Sequence, residues 1–138
     1  MGFILKVDGV ADLGVETIQT VDFSVETPKD SNARTTDVAV TLKVTGKILT
    51  LLDGGTEATK DLALWSMIPA EKADCYRKVV LMTTAAGMVI REYTLPNAFV
   101  VDYKEVYGDT EGVGTFELIV KQKKDKIKTT TITGGYGA

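Results

Sequence analysis

The sequence predicts a mainly β fold: a barrel or sandwich of two packed antiparallel sheets with one flanking α-helix. Three observations lead to this prediction. Apolar and polar residues alternate with a period of two over most of the chain. One stretch has helical spacing instead. The length of 138 residues suits one domain with one core, so we expect residues 1–138 to form a single domain.

The clearest predicted strand lies between Thr36 and Thr45, where every second residue is apolar and most of the others are polar. The same alternation runs from Val21 to Glu26 and from Thr115 to Lys121. A further strand is predicted around Phe99, Val101, Tyr103 and Tyr107, which alternate with Asp102 and Lys104.

Two segments that are apolar on both faces, 76–83 and 88–95, flank Ala85-Ala86-Gly87. This arrangement predicts a hairpin with a tight turn. Segments 3–7 and 128–133 are weaker terminal strands. The many threonines favour strands because a β-branched side chain fits a pleated surface.

One helix is predicted from Thr56 to Ile68. Thr56 can cap its N-terminus, and Pro69 ends it. Ala58, Leu62, Trp65 and Ile68 fall on one narrow apolar stripe, so we expect this helix to cover one side of the sheet structure with Trp65 in the core.

Composition excludes several kinds of active site. The chain has no histidine, so histidine-dependent triads, dyads and zinc sites are impossible within one chain. Its one cysteine, Cys75, cannot form an internal disulfide. The net charge of −3 argues against a strongly basic nucleic-acid-binding protein. No secretory h-region and no apolar run of membrane-spanning length is visible, so we expect no stable membrane insertion.

Three groups of residues were weighed as chemical sites. Four acids, Asp102, Glu105, Asp109 and Glu111, do not have the spacing of a calcium loop, and the neighbouring glycines favour a solvated hairpin. Cys75 has basic neighbours in the sequence but no histidine base, which favours a structural role. We therefore predict no catalytic residue, no metal and no cofactor.

A run of lysines follows the Thr115–Lys121 strand: Lys121, Lys123, Lys124, Lys126 and Lys128. It is interpreted first as a solvated surface, next as a surface attracted to an acidic region of a neighbouring subunit, and last as a nucleic-acid contact.

The order of these elements resembles the Hcp (haemolysin-coregulated protein) family, the tube subunit of type VI secretion systems, which is similar in fold to phage tail-tube proteins. The residues that carry the resemblance are Ser31–Thr36 leading into Val38–Val44, Leu62–Met67 in the helix, Tyr93–Glu105, and Gly114–Lys124. The resemblance covers residues 3 to 133 and is a pattern of elements rather than a strict motif.

The resemblance implies a homo-hexameric ring whose rings stack into a hollow tube. Its partners would be copies of itself and the sheath, baseplate or spike proteins of a type VI system, phage tail, bacteriocin or extracellular injection machine. It implies assembly in the cytoplasm followed by release when the machine fires, or a place in a virion or phage-tail-like particle. It implies no direct need for nucleic acid. The alternative is a small ligand-binding β-barrel carrier, a common use of small barrels. An enzyme that works through carboxylates alone ranks below both.

In a stacked tube one face of the sheet must stay wet, and the polar residues of the alternating strands are the expected lining. These are Asp22, Ser24, Glu26, Asp37, Thr41 and Lys43. Their apolar neighbours would face the core, because a shift of one residue would reverse both sets.

The polar loop 28–34 is expected to contact the next subunit or ring through Lys29, Asp30, Ser31, Asn32 and Arg34. Deletion of residues 30–33 should leave the subunit fold intact and weaken stacking of rings. Circular dichroism would report the fold, and sedimentation would report the stacking. Tubes that form unchanged after the deletion would contradict this role.

Overall fold

The structure, a computed structural model, describes residues 1–27, 39–48, 58–69, 75–109, 114–123 and 130–134. Helix α1 spans Ala58–Ser66. The eight strands are β1 (Gly2–Val7), β2 (Ala11–Leu13), β3 (Ile18–Glu26), β4 (Ala39–Ile48), β5 (Arg77–Ala85), β6 (Met88–Val106), β7 (Gly114–Gln122) and β8 (Thr131–Thr133). The mainly β class with one flanking helix is confirmed.

All strand pairs are antiparallel, and they connect in the order β2-β1-β5-β6-β7-β4-β3, with β8 pairing to β6. The two halves of this arrangement share β6. Its N-terminal part pairs with β5 up to Ala98, and its C-terminal part pairs with β7 from Ala98 onward. The halves fold over a common core, so the structure is a barrel-like sandwich.

The core lies between the two halves and is almost entirely aliphatic. One half contributes Leu5, Val7, Val79 and Leu81, and the other contributes Leu42, Val44, Leu118 and Val120. A stacked ring pair, Phe23 of β3 and Tyr93 of β6, joins the halves with 4.3 Å between ring centroids. In β4 and β7 the apolar residues of the alternating pattern point inward as predicted, and one face of each strand is therefore buried.

The predicted hairpin is present as β5 and β6. Ala86 and Gly87 both have positive φ, 52° and 77°, as the central residues of a type I′ turn require. Strand β2 is an addition that the sequence analysis did not predict. Val25, expected to face the core with Val21 and Phe23, is instead exposed near the end of β3.

Two expectations about β6 were wrong. Segments 88–95 and 99–107 were treated as separate strands, but they form one strand of 19 residues that passes through Pro96. Proline is tolerated there because the pairing with β5 is irregular between Leu95 and Ala98, where a ladder hydrogen bond is dispensable.

The second correction concerns the face of the strand on which Phe99 lies. Val100 pairs with Val120 and Asp102 pairs with Ile119, so Val101 is the extra residue of a β-bulge. The bulge changes the phase of the alternation. Phe99 therefore lies opposite Lys121 on the outer face, Val101 is 48% exposed, and Tyr103 packs inward against Phe116.

Helix α1 covers the core beside β2 and β6, as predicted. Leu62 and Trp65 are buried and Ile68 is partly buried, which confirms three members of the apolar stripe. The indole Nε1 of Trp65 donates a hydrogen bond of 2.9 Å to the backbone carbonyl of Cys75. The tryptophan therefore fills the core and connects the helix to the start of β5. Thr56, the expected cap, lies outside the described residues.

Replacing Trp65 by alanine should lower the free energy of unfolding by about 3–5 kcal/mol, because the residue is only 3% exposed. Trp65→Phe should cost less, since it keeps an aromatic ring and loses chiefly the hydrogen bond to Cys75, worth about 1 kcal/mol. Chemical denaturation of both variants measures the difference. Equal and small losses would show that the indole does not support the core.

Candidate functional site: the polar face of the sheet

The outer face of β3, β4, β7 and the C-terminal part of β6 is the candidate functional surface. The four strands pair side by side, so residues that lie opposite one another form rows across this face. One row runs Asp22, Lys43, Ile119, Asp102. The next runs Thr20, Thr45, Glu117, Lys104, and its two threonine hydroxyls form a hydrogen bond.

The charges on these rows alternate in sign. Lys43 lies directly opposite Asp22, and its ammonium is 3.8 Å from a carboxylate oxygen of Glu117 on the neighbouring strand. Glu117 in turn lies opposite Lys104. Both side chains of the ion pair are about two-fifths exposed, so solvent screens the pair and it contributes little to stability. The face is therefore wet and nearly charge-balanced.

The structure brings together five of the six residues predicted to line a lumen. Asp22, Ser24 and Glu26 are exposed on β3, and their partners on β4 are Lys43, Thr41 and Ala39. Asp37 lies outside the described residues, as do all five residues of the predicted contact loop, Lys29, Asp30, Ser31, Asn32 and Arg34.

Sequence reasoning missed the width of this face. Asp102, Lys104 and Glu117 extend it across β7 and β6, beyond the two strands first considered. The signal for Glu117 was available, because Thr115, Glu117 and Lys121 alternate with buried residues. The signal for Asp102 and Lys104 was available too, because both alternate with the inward-facing Tyr103; the bulge at Val101 changes the phase only for the residues before it.

The four acids considered above as a calcium site are dispersed. Asp102 lies on the outer face, whereas Glu105 lies on the side of Tyr103 and Phe116, and Asp109 follows the end of β6. Glu111 is outside the described residues. Among the residues that the structure describes, no group of three or more Cys, Asp or Glu side chains converges as metal ligands.

Glu105 instead accepts hydrogen bonds from two phenols. The hydroxyl of Tyr103 lies 3.4 Å from one carboxylate oxygen and that of Tyr107 lies 3.1 Å from the other. The Tyr103 hydroxyl also lies 3.2 Å from the backbone carbonyl of Thr59 in α1. Burial, followed by the adjacent Glu105 carboxylate, raises the pKa of Tyr103 well above its ordinary value. The phenol therefore stays neutral and acts as a donor that connects β6 to the helix.

The other two candidate groups, Cys75 and the lysine run, do not form a common site either. Cys75 is buried, and its backbone carbonyl accepts the bond from Trp65. Lys121 lies on the outer face opposite Thr41 and Phe99, and Lys123 lies over the ring of Tyr76. Lys124, Lys126 and Lys128 are outside the described residues.

A scan of the sequence against protein-family models finds no match. A search of curated proteins finds none either.

Solved structures do match. Hcp1 from Flavobacterium johnsoniae is 18% identical, with a TM-score of 0.59 over 98% of this chain and 97% of that chain. Hcp1 from Salmonella typhimurium is 14% identical, with a TM-score of 0.61 over 87% of this chain and 81% of that chain.

A third match comes from the sheath–tube complex of PVC, an extracellular contractile injection system. It is 13% identical, with a TM-score of 0.54 over 96% of this chain and 88% of that chain. The chain therefore has the Hcp-like fold that the sequence resemblance predicted, along nearly its whole length.

Proposed function

We propose that this chain is a structural subunit of a ring-forming hollow tube in a contractile injection apparatus. The observation that carries the proposal is the full-length likeness to Hcp proteins and to a chain of a sheath–tube complex. Its partners are copies of itself in a homo-hexameric ring, further rings stacked on the first, and sheath, baseplate or spike proteins of the same machine. We assign it no catalytic activity and no cofactor.

In this proposal the polar face lines the lumen. Asp22, Ser24, Glu26, Thr41 and Lys43 would face the channel, and Asp37 is placed there from the sequence pattern. The mixed charges support this assignment, because a charge-balanced, hydrated wall suits passage of varied cargo better than a wall of one sign. The loop residues Lys29, Asp30, Ser31, Asn32 and Arg34 remain the predicted contact with a neighbouring subunit or ring.

The strands β3, β4, β7 and the C-terminal part of β6 form the sheet layer that carries the polar face. The two outer edges of this layer support self-assembly. Within the described ranges, no strand pairs with the outer edge of β3, and none pairs with β6 between Phe99 and Val106 on the edge away from β7. Unpaired edges present N–H and C=O groups that a neighbouring strand can satisfy. Because both edges belong to the layer that carries the polar face, joining them between subunits would extend that face around a ring.

The ligand-carrier alternative receives less support. Among the described residues, seventeen buried hydrophobic residues from the strands and the helix fill the space between the two halves. Two clefts lined by described residues, of about 540 and 310 Å³, are open to solvent rather than enclosed.

We place assembly in the cytoplasm, followed by release of the tube when the machine fires. In the part of the chain that the structure describes, no helix is long and apolar enough to cross a membrane.

Purified chain should form rings, and stacks of rings at higher concentration. Light scattering coupled to size-exclusion chromatography gives the mass of the assembly, and negative-stain images give its shape. A chain that stays monomeric at high concentration and shows no rings would contradict the proposal. A small molecule bound to that monomer in native mass spectrometry would favour the carrier.

The lumen assignment predicts a size-dependent block to labelling. Cysteine at position 41 or 43, in a Cys75→Ser background, should react with a bulky maleimide more slowly in tubes than in free subunits, because large probes enter the channel only from its ends. Lys60→Cys on the exposed side of α1 is the matched control and should react equally in both states. Equal rates at positions 41 and 43 for every probe size would place them outside the channel.

A further inference from the structure

The two open edges of the layer that carries the polar face run in opposite directions. Its strands lie in the order β6-β7-β4-β3, and each pairing between neighbours is antiparallel. The edge strands β6 and β3 therefore point opposite ways. Rotation about the axis of a ring does not change the direction of a strand along that axis. The β6 edge of one copy would thus meet the β3 edge of the next copy as an antiparallel pair.

Two constraints limit how these edges can pair. The regular part of the β6 edge runs from the bulge residue Val101 to Val106. The regular part of β3 runs from Thr20 to Glu26. The polar face stays on one side of the joint only if outer-face residues lie opposite outer-face residues. The register can therefore change only in steps of two residues.

The charges on the outer face distinguish these registers. In chain order the outer-face residues are Thr20, Asp22, Ser24 and Glu26 on β3, and Asp102, Lys104 and Val106 on the β6 edge. When Lys104 lies opposite Asp22, opposite charges meet. Asp102 then lies opposite Ser24. A shift of two residues in one direction places Asp102 opposite Glu26, and the same shift in the other direction places it opposite Asp22. Both shifted registers thus set acid against acid.

Ion pairing within the subunit leaves Asp22 and Lys104 to this contact. Lys43 and Glu117, on the two inner strands of the layer, pair with each other at 3.8 Å. In the described part of the chain, neither Asp22 nor Lys104 has an opposite charge within 4.0 Å. The two inner charges compensate each other, and the two edge charges face a neighbouring copy.

Two exposed valines select the same register independently. Val25 of β3 is 49% exposed, and Val101 of β6 is 48% exposed. Each is next to an outer-face residue in its own strand, so both lie on the side of the joint away from the polar face. When Lys104 lies opposite Asp22, Val101 lies opposite Val25, and each valine covers the other from water. The two shifted registers separate the valines.

We propose that β6 of one copy joins β3 of the next in this single register, with Lys104 opposite Asp22 and Val101 opposite Val25. This inference rests on the proposed tube function and specifies the contact between neighbours within its ring. The joint supplies hydrogen-bonding partners to both open edges. Because unlike edges meet, the contact is heterologous, and repeating it by rotation closes a ring.

A pair of cysteines tests the register directly. Val25→Cys and Val101→Cys, combined in one full-length chain with Cys75→Ser, should cross-link neighbouring copies on oxidation. Directly opposite residues are about 4.5–5.5 Å apart between Cα atoms, within disulfide range, whereas diagonal neighbours are about 7–8 Å apart. In one subunit β4 and β7 lie between the two positions, about 14 Å across the sheet, so the cross-link joins different copies.

The matched control is Ser24→Cys with Lys104→Cys in the same Cys75→Ser background. These two positions lie opposite each other only when the register is shifted by two residues. On a non-reducing gel, this control should remain mostly single chains, whereas the Val25 and Val101 pair should give a ladder of covalent oligomers.

Charge exchange tests the ion pair across the joint. Lys104→Glu should raise the protein concentration needed for rings by about three- to tenfold, because an acid then faces Asp22 of the next copy. Adding Asp22→Lys should recover most of that loss, since opposite charges meet again. Repulsion from Glu117 within the subunit is present in both variants, so the recovery reports on the joint. Lys60→Glu makes the same charge change on an exposed residue of α1 and should assemble like wild type.

Sedimentation velocity over a concentration series, read beside negative-stain images, measures ring formation. Rings in which the Val25 and Val101 cysteines do not cross-link, or in which the control pair cross-links instead, would overturn the register and leave the tube function intact. So would K104E rings that form as readily as wild type, or a double variant K104E/D22K that assembles no better than K104E. A wild-type chain that forms no rings would overturn the tube function and this register together.

Discussion

The fold depends on β6 being shared by both halves of the molecule. Its 19 residues pair with β5 along the first half and with β7 along the second, and the changeover falls at Ala98, which is fully buried. Both flanking pairings are irregular here, on the β5 side next to Arg77 and on the β7 side at Val101. These irregularities bend and twist the strand, which lets it take part in both halves around the aliphatic core. The positions of the helix, the polar face and the two open edges all follow from that bend.

Sequence periodicity predicted the elements whose formation depends only on the residues within the element. The alternation in β4 and β7, the β5–β6 turn and the stripe of Leu62 and Trp65 were all confirmed, since each depends on local geometry and burial of one face. The polar character of Asp22, Ser24, Thr41 and Lys43 was readable for the same reason.

The errors arise where the structure depends on neighbouring strands rather than on the local sequence. A β-bulge adds a residue without changing the local composition, so nothing in the run from Phe99 to Lys104 shows that the alternation changes phase. Phe99 was therefore placed on the same face as Tyr103, and its position opposite Lys121, next to the ring of Tyr76, was not predicted. The continuity of β6 through Pro96 was equally hidden, because whether a strand tolerates proline depends on its neighbours. The charge pairs across β4, β7 and β6 depend on register, which a single strand does not encode.

β7 and β8 pair with the same edge of β6, and the number of residues between them can vary. Gln122 lies opposite Ala98 and Thr131 lies opposite Thr94. Three residues of β6 thus separate the two pairings, whereas eight residues, 123 to 130, join β7 to β8. The connecting peptide is longer than the gap it crosses, so its length is not set by the ladder on either side. Residues can be gained or lost in this connection while both pairings keep their register. Related subunits could therefore diverge here, in how they meet other proteins, without altering the barrel that they share.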